Sequence, residues 1–395
     1  MTDDPRTRPV VTLLPGRQKR AQQGHPWVYS NEIAMNAAAK ALPPGTLVTL
    51  QAASGETLGV AMFNPRPLVS ARFLDRDASR VIGAEFFASR LAAAVRLRER
   101  LYDRPFYRLI HAEADGLPGV VVDRFDDVLV AEINTAGIDR LEGEFLAACR
   151  DVLRPRAIVL RNDSASRALE GLTQEQRVTG DLAGEIAVEE NGARFIADPV
   201  GGQKTGWFYD QRDNRRAVAA LASGARVLDL YCFTGGFGVA AARGGARDVL
   251  CVDRSEPALV LARRGAALNG VAACRFERAD VFEKLENPGT EQFDIVIADP
   301  PAFVKSRKDL GAGLRGYRKL VRLAAARVAP GGFLFIASCS HNVGVDDFAD
   351  AMRRGLHDAG RDGRILLSSG AAADHPVHPF LPESAYLKAQ LLALD

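Results

Sequence analysis

Two short stretches of this 395-residue chain combine residue types able to do chemistry on a flat ring: Asp299-Pro300-Pro301-Ala302-Phe303 and Ser338-Cys339-Ser340-His341. In the first, two prolines stiffen the turn and remove backbone donors. The Asp299 carboxylate is thereby presented beside a planar ring, which suits a flat base carrying an amine. In the second, Cys339 stands where the apolar run Phe333 to Ala337 gives way to polar residues, making its thiolate a candidate nucleophile. Carbon 5 of a pyrimidine is a poor methyl acceptor until a nucleophile adds to carbon 6, and a thiolate is the natural attacker. A free thiol, with a pKa of about 8.5, is only partly ionised at neutral pH. The site must therefore supply a positive neighbour or a helix start, and His341 or a base-contacting lysine can contribute. The plain structural readings are a tight strand exit with Phe303 in the core, and a cysteine that only packs. The other cysteines, Cys149, Cys232, Cys251 and Cys274, read as packing residues, of which only Cys232 can touch a cofactor.

A second constellation points to that cofactor. Val227-Leu228-Asp229-Leu230-Tyr231-Cys232-Phe233-Thr234-Gly235-Gly236-Phe237-Gly238 is an apolar strand, an acid and a glycine turn opening a helix. Such a turn lets the backbone approach a ligand and points free amides at it. The spacing is not that of a dinucleotide fingerprint, and Asp229 would repel a pyrophosphate but suits the ammonium of a methionine. Asp253, with Arg254 and Ser255, ends the next strand, where a carboxylate can accept both ribose hydroxyls. Asp280, with Val281 and Phe282, ends the third and offers an acceptor for an adenine amine beside an aromatic face. Together with Asp299 these residues read as a site for S-adenosylmethionine. Each acid alone can equally cap a helix or solvate a strand end, and NAD is the competing ligand.

The elements that must position these residues follow from periodicity. From Arg226 onward, apolar strands alternate with helices, the pattern of a doubly wound α/β sheet. Seven strands are predicted, at Val227 to Leu230, Val249 to Val252, Arg275 to Arg278, Ile295 to Ala298, Phe333 to Ala337, Ile365 to Ser368 and Tyr386 to Leu394. Upstream, short apolar runs between Val10 and Phe73, broken by Pro and Gly pairs, predict a small β-barrel. Between the two, a helix over Ala84 to Tyr102, with Arg96, Arg98 and Arg100 largely on its other faces, precedes strands and a second helix near Leu141 to Leu153. A hairpin turned at Asn191-Gly192 closes this mixed α+β segment. The expected domains are 1–77, 78–195 and 196–395.

Composition narrows the class. The formal net charge is +2, so any nucleic-acid surface is a local patch. Five scattered cysteines and six histidines show neither disulfide nor metal spacing, and no metal is expected. With no long apolar run and a polar, proline-broken start, a cytoplasmic location away from membranes is expected.

Several longer motifs resemble the bacterial 23S ribosomal RNA 5-methylcytidine methyltransferases of the large-subunit methyltransferase I type. They are Gly16-Arg17-Gln18-Lys19 with His25-Pro26-Trp27-Val28-Tyr29-Ser30, similar to the family's PUA domain; Glu113 to Gly119 with Asp123-Arg124-Phe125; Gly202 to Arg212; and a tail containing Ala373 to Pro376 and Tyr386-Leu387-Lys388. The resemblance implies a Rossmann-like class I methyltransferase domain, S-adenosylmethionine as cofactor and 23S ribosomal RNA as partner, and it allows a homodimer. It further implies that Gln203, Lys204, Thr205, Phe208 and Gln211 help enclose the cofactor, alongside Tyr231, Phe233, Thr234, Gly235 and Gly236 of the glycine turn. Cys339 is then the attacking thiol, and Lys19, Pro300, Pro301, Phe303, Arg307, Tyr317 and Lys319 face the RNA substrate. Two-cysteine relatives carry a second thiol where this chain has Ala302, so another base must assist product release. The alternatives are methylation of an exocyclic amine, which needs no thiol, and a non-catalytic RNA-binding assembly factor.

Overall fold

Branched and aromatic residues between turns form the strands of the first of two compact units in a computed structural model, which describes residues 3–182, 184–203, 205–287 and 291–395. This unit comprises Met1–Gly184, Pro199–Thr205 and Asp374–Ser384. Strands β1 (Val10–Thr12), β2 (Trp27–Tyr29), β3 (Thr46–Gln51), β4 (Thr57–Phe63) and β5 (Val69–Asp75) join in the order β1-β3-β4-β5-β2. Val11, Val48, Leu50 and Phe63 are buried beneath them. The predicted long helix spans Ala84–Leu101 and packs Phe86, Phe87 and Leu91 into the neighbouring core. Arg98, expected on an outer face, is instead fully buried. Its guanidinium pairs with both oxygens of Asp115 at 2.5 and 2.8 Å, which offsets the cost of burying the charge.

A second five-stranded sheet follows in this unit, from β6 (Phe106–His111), β7 (Val120–Phe125), β8 (Val128–Ile133), β9 (Ala157–Asn162) and β10 (Glu175–Gly180), in the order β10-β9-β8-β7-β6. β10 is not predicted, because its Glu-Gln-Arg-Val-Thr-Gly sequence carries no apolar alternation. It is exposed along its whole length and exists through backbone pairing with β9. The Glu113-to-Gly119 and Asp123 motifs stitch this unit together. Glu113 accepts from the Trp27 indole at 2.6 Å, and Asp123 pairs with Arg108 at 2.6 Å.

The second unit comprises Glu185–Asp198, Gly206–Ala373 and Ala385–Asp395. It begins with the hairpin β11 (Ile186–Glu190) and β12 (Ala193–Ala197), turned at Asn191 and Gly192, both with positive φ as a tight hairpin turn requires. This hairpin was expected in the central segment. It packs here because Asn269, at the end of helix Glu256–Leu268, bonds the Arg194 backbone in both directions and Phe195 lies 4.6 Å from Trp207. The seven predicted strands form one sheet: β13 (Arg226–Leu230), β14 (Asp248–Asp253), β15 (Cys274–Arg278), β16 (Phe293–Ala298), β17 (Val328–Ser338), β18 (Gly363–Ser369) and β19 (Lys388–Leu394). The order is β15-β14-β13-β16-β17-β19-β18, parallel except for β19, which runs antiparallel to both neighbours. Strand order reverses between β13 and β16, so the crossover connections diverge there and leave a crevice at the carboxyl ends of the strands. The acids singled out in the sequence sit at those ends.

Candidate active site

Asp229 lies at the carboxyl end of β13, one residue before the strand stops, and is fully buried. Its Oδ2 accepts from the Gly238 amide at 2.7 Å, across the glycine turn. Burial pushes its carboxyl up to about 8, helped by the negative charges of Asp299 and Asp253 and opposed by the Gly238 bond and Arg215. Three carboxylates from three adjacent strands therefore bear on one point, which favours a cation.

The turn itself is tightly built. Tyr231, Phe233 and Gly235 all have positive φ, a conformation that costs the two aromatic residues free energy and is concentrated at functional sites. A Cβ on Gly238 would stand 2.3 Å from the Cys251 sulfur and 3.1 Å from Asp229 Oδ2, so only glycine lets the helix Gly236–Arg243 approach β14 this closely. Tyr231 Oη and Thr234 Oγ1 are buried without a hydrogen-bond partner among the described residues. Orphaned polar atoms over a concave turn are what a polar ligand would satisfy. The donor set and the cradle thus fit S-adenosylmethionine.

The other predicted cofactor residues hold several kinds of position. Asp253 accepts from the amides of Phe233 at 2.9 Å and Ser255 at 2.8 Å, fastening the turn to β14. Ser255 caps the helix Glu256–Leu268, and Arg254 is exposed. Asp280 caps the helix Val281–Glu286, both bonds running to Oδ1, while Val281 is buried and Phe282 half-buried. Phe208 meets Phe233 edge-on at 5.2 Å, beside the turn. Gln211 is buried and accepts from Asn214 at 2.6 Å. Gln203 and Thr205 belong to the first unit, where the buried Thr205 hydroxyl donates to Asp123 at 2.5 Å. Lys204 lies outside the described residues.

The two chemical stretches leave neighbouring strands at the same edge. Ala298, just before Asp299, pairs with both Leu230 and Ile336. The Val304 amide donates to Ser340 Oγ at 3.3 Å, and Asn342 Nδ2 donates to the Lys305 carbonyl at 3.2 Å. These bonds tie the Asp299 exit loop to the Cys339 loop. Cys339 is half-buried, bordering the core around Phe335 and Ala337. Pro300 is buried and Pro301 exposed. Phe303 is half-buried, its ring 4.7 Å from Tyr317 and 6.0 Å from Phe282.

Tyr317 was expected to face substrate, but it is fully buried. Its hydroxyl accepts from Ser338 at 2.8 Å and bonds Ser340 at 2.9 Å, clamping the serines on either side of Cys339. The amphipathic helix Leu310–Ala325 turns this ring inward, a direction that motif reading does not resolve. Lys319 pairs with Glu286 at 2.5 Å and lies over Phe282, whereas Arg307 and Lys19 are exposed. Residues given no role in the sequence also support the site. Glu190 on β11 pairs with Arg215 at 3.1 Å and accepts from the Trp207 indole at 3.0 Å, and Tyr386 donates to Asp210 at 2.5 Å. A glutamate ending a strand carries no sequence signal, so only the fold reveals these contacts. Among the described residues no group of three or more His, Cys, Asp or Glu is placed to hold a metal, and no helix is long and apolar enough to cross a membrane.

Comparison with known proteins gives the family of the chain. Residues 112–387 match the model of an S-adenosylmethionine-dependent methyltransferase family, and residues 11–76 match a PUA-like domain. The chain is 38% identical over 390 residues to a protein of Photobacterium profundum named ribosomal RNA large subunit methyltransferase I, covering 96% of this chain and 97% of that one. An Aeromonas salmonicida protein of the same name is 37% identical over 391 residues, with the same coverage. In fold, the chain is similar to a solved structure described as a SAM-dependent methyltransferase from Streptococcus mutans, with a TM-score of 0.81 and 21% identity over 98% of this chain and all of that one. A second methyltransferase structure, complexed with S-adenosylhomocysteine, also gives 0.81, at 20% identity over 98% of this chain and 99% of that one.

Proposed function

The chain belongs to the S-adenosylmethionine-dependent methyltransferase family, within the ribosomal RNA large subunit methyltransferase I group, and from that premise we propose that it methylates carbon 5 of a cytosine in large-subunit ribosomal RNA. The observation that carries the reading is the tie between the Asp299 and Cys339 loops beside the acidic end of β13. A carboxylate and a sulfur able to act on one base thus leave adjacent strands next to the methyl-donor cradle.

When bound, S-adenosylmethionine supplies an electrophilic methyl group on a sulfonium. Asp229 receives its ammonium end, Asp253 its ribose and the Asp280 turn its adenine. The amides of the glycine turn and the Tyr231 and Thr234 hydroxyls complete the polar contacts. On the substrate side, the Cys339 thiolate adds to carbon 6 of the cytosine, forming an S–C bond and pushing electrons to carbon 5. Asp299 hydrogen-bonds the ring nitrogen or exocyclic amine and stabilises that adduct. Carbon 5 takes the methyl group as its bond to the sulfonium breaks, the electron pair staying on sulfur to leave a neutral thioether. A base then removes the carbon-5 proton, the ring double bond re-forms and the thiolate leaves. The PUA-like segment, with Lys19 exposed on it, grips RNA.

The test is Cys339→Ala, assayed with S-adenosylmethionine and protein-free large-subunit RNA, with the product nucleosides identified by mass spectrometry. Loss of 5-methylcytidine formation is expected. Retained transfer would sink the carbon-5 route and leave methylation of an exocyclic amine held by Asp299 and Phe303. An unchanged nucleoside profile in cells lacking the gene would leave an RNA-binding role without catalysis.

A further inference from the structure

Lys388 opens β19 and pairs through its backbone with Ser338, the last residue of β17. Its side chain is buried, only 7% exposed. Its ammonium donates to the carbonyl of Ser340 at 2.7 Å and to that of Tyr386 at 2.7 Å. The lysine is thus held on both sides of Cys339 along the chain, paired at 338 and bonded at 340. Among the described residues no carboxylate forms an ion pair with it. A buried ammonium satisfied only by neutral carbonyls is expensive, and such charges persist where an anion offsets them. Among the described residues, the ionisable group whose charge bears on Lys388 is the Cys339 thiol.

We propose that Lys388 is a positioning residue for the reaction, the fixed counter-charge that keeps the Cys339 sulfur ionised and aimed from the end of β17. This rests on the reading of Cys339 as the nucleophile. Burial pulls the Lys388 ammonium down from its ordinary value, and the negative sulfur pushes it back up, so the two groups favour each other's charged forms. Among the described residues, three other titratable groups on these elements are placed differently. Tyr317, from the helix Leu310–Ala325, is raised by its own burial and stays a neutral hydroxyl bonded to the two serines. Asp299, at the β16 exit, is an acid of the wrong sign. His341 stacks on Tyr386 at 5.0 Å and is exposed. Lys388, paired at 338 and bonded at 340, is a positive neighbour of the kind a thiolate requires.

The experiment measures the ionisation of Cys339 in the full-length protein, as the pH dependence of its alkylation by iodoacetamide, read at the Cys339 peptide by mass spectrometry. In Lys388→Met the midpoint is expected to rise by about one pH unit or more, making alkylation at neutral pH about tenfold slower. Lys388→Arg is expected to stay near the parent. An unmoved midpoint in a Lys388→Met protein that unfolds at the parent's temperature would overturn the proposal. Should that variant fail to fold, Lys388→Gln, which keeps a donor for the two carbonyls without the charge, carries the same comparison. Adduct trapping with RNA containing 5-fluorocytidine separates the two ideas. A trapped adduct with an unmoved midpoint removes only the role of Lys388. A midpoint that moves while the parent traps nothing keeps the charge pairing and removes Cys339 as nucleophile.

Discussion

Asp229 is fully buried, bonded to one backbone amide and exposed to the charges of Asp253 and Asp299, and its carboxyl is pushed up to about 8 mainly by that burial. In the unfolded chain the same carboxyl titrates near 3.8, so between these values the folded protein binds more protons than the unfolded one. This contribution to stability is fully present below the unfolded value and is lost as pH rises to about 8. The ligand-free protein is expected to lose thermal stability along that slope, and Asp229→Asn to flatten it, as differential scanning calorimetry across pH 5 to 9 would show. The cofactor's ammonium favours the carboxylate, so binding below about pH 8 is expected to release a proton. Calorimetry in buffers of different ionisation enthalpy checks this. Asp229→Asn is expected to weaken S-adenosylhomocysteine binding by about 10- to 100-fold, the range of a charged hydrogen bond worth about 1.5–3 kcal/mol. Unchanged affinity would mean that the ammonium sits elsewhere.

At the scale of elements, the site depends on how closely helices approach strand ends. The helix Gly236–Arg243 reaches β14 only because position 238 lacks a Cβ. Gly238→Ala is expected to cost roughly 1–3 kcal/mol through overpacking against Cys251 and Asp229. Cys251→Ala in the same chain is expected to recover part of that loss, since residues in contact couple. Denaturant melts of the single and double variants measure it, and strictly additive losses would count against the steric account. At the end of β17, Tyr317 clamps Ser338 and Ser340. Tyr317→Phe removes that hydroxyl from a buried network and is expected to cost about 1–3 kcal/mol. It is also expected to lower kcat while leaving cofactor affinity near the parent, because the glycine turn is untouched. A drop in cofactor affinity instead of kcat would place the effect in the wrong half of the site.

At the scale of the molecule, the hairpin β11–β12 marks where the second unit starts. Its Glu190 holds Arg215 and Trp207, and its Phe195 packs on Trp207. We propose the start of this unit at Glu185 rather than at Ile196. A fragment beginning at Glu185 is expected to unfold cooperatively on heating. One beginning at Ile196 loses β11 and three of the five residues of β12, uncovers the face of the helix Glu256–Leu268 and is expected to aggregate or melt without a sharp transition. Equal behaviour of the two fragments by circular dichroism would remove the hairpin from the unit.

Local pattern and chemistry were enough to read the seven strands of the sheet, because alternation of apolar runs with helical spacing is written into consecutive residues. The glycine turn and its acids were legible for the same reason, since strand, acid and turn are contiguous. The Asp299 and Cys339 stretches could be named as reactive, but 40 positions apart they acquire a shared edge only when β16 and β17 pair. The inward turn of Tyr317, the burial of Arg98, the pairing of β10 and the seat of Lys388 beside Cys339 were decided by the tertiary structure alone. Each depends on which distant surface a side chain or backbone meets, and burial and electrostatics act through space, where separation along the chain carries no information.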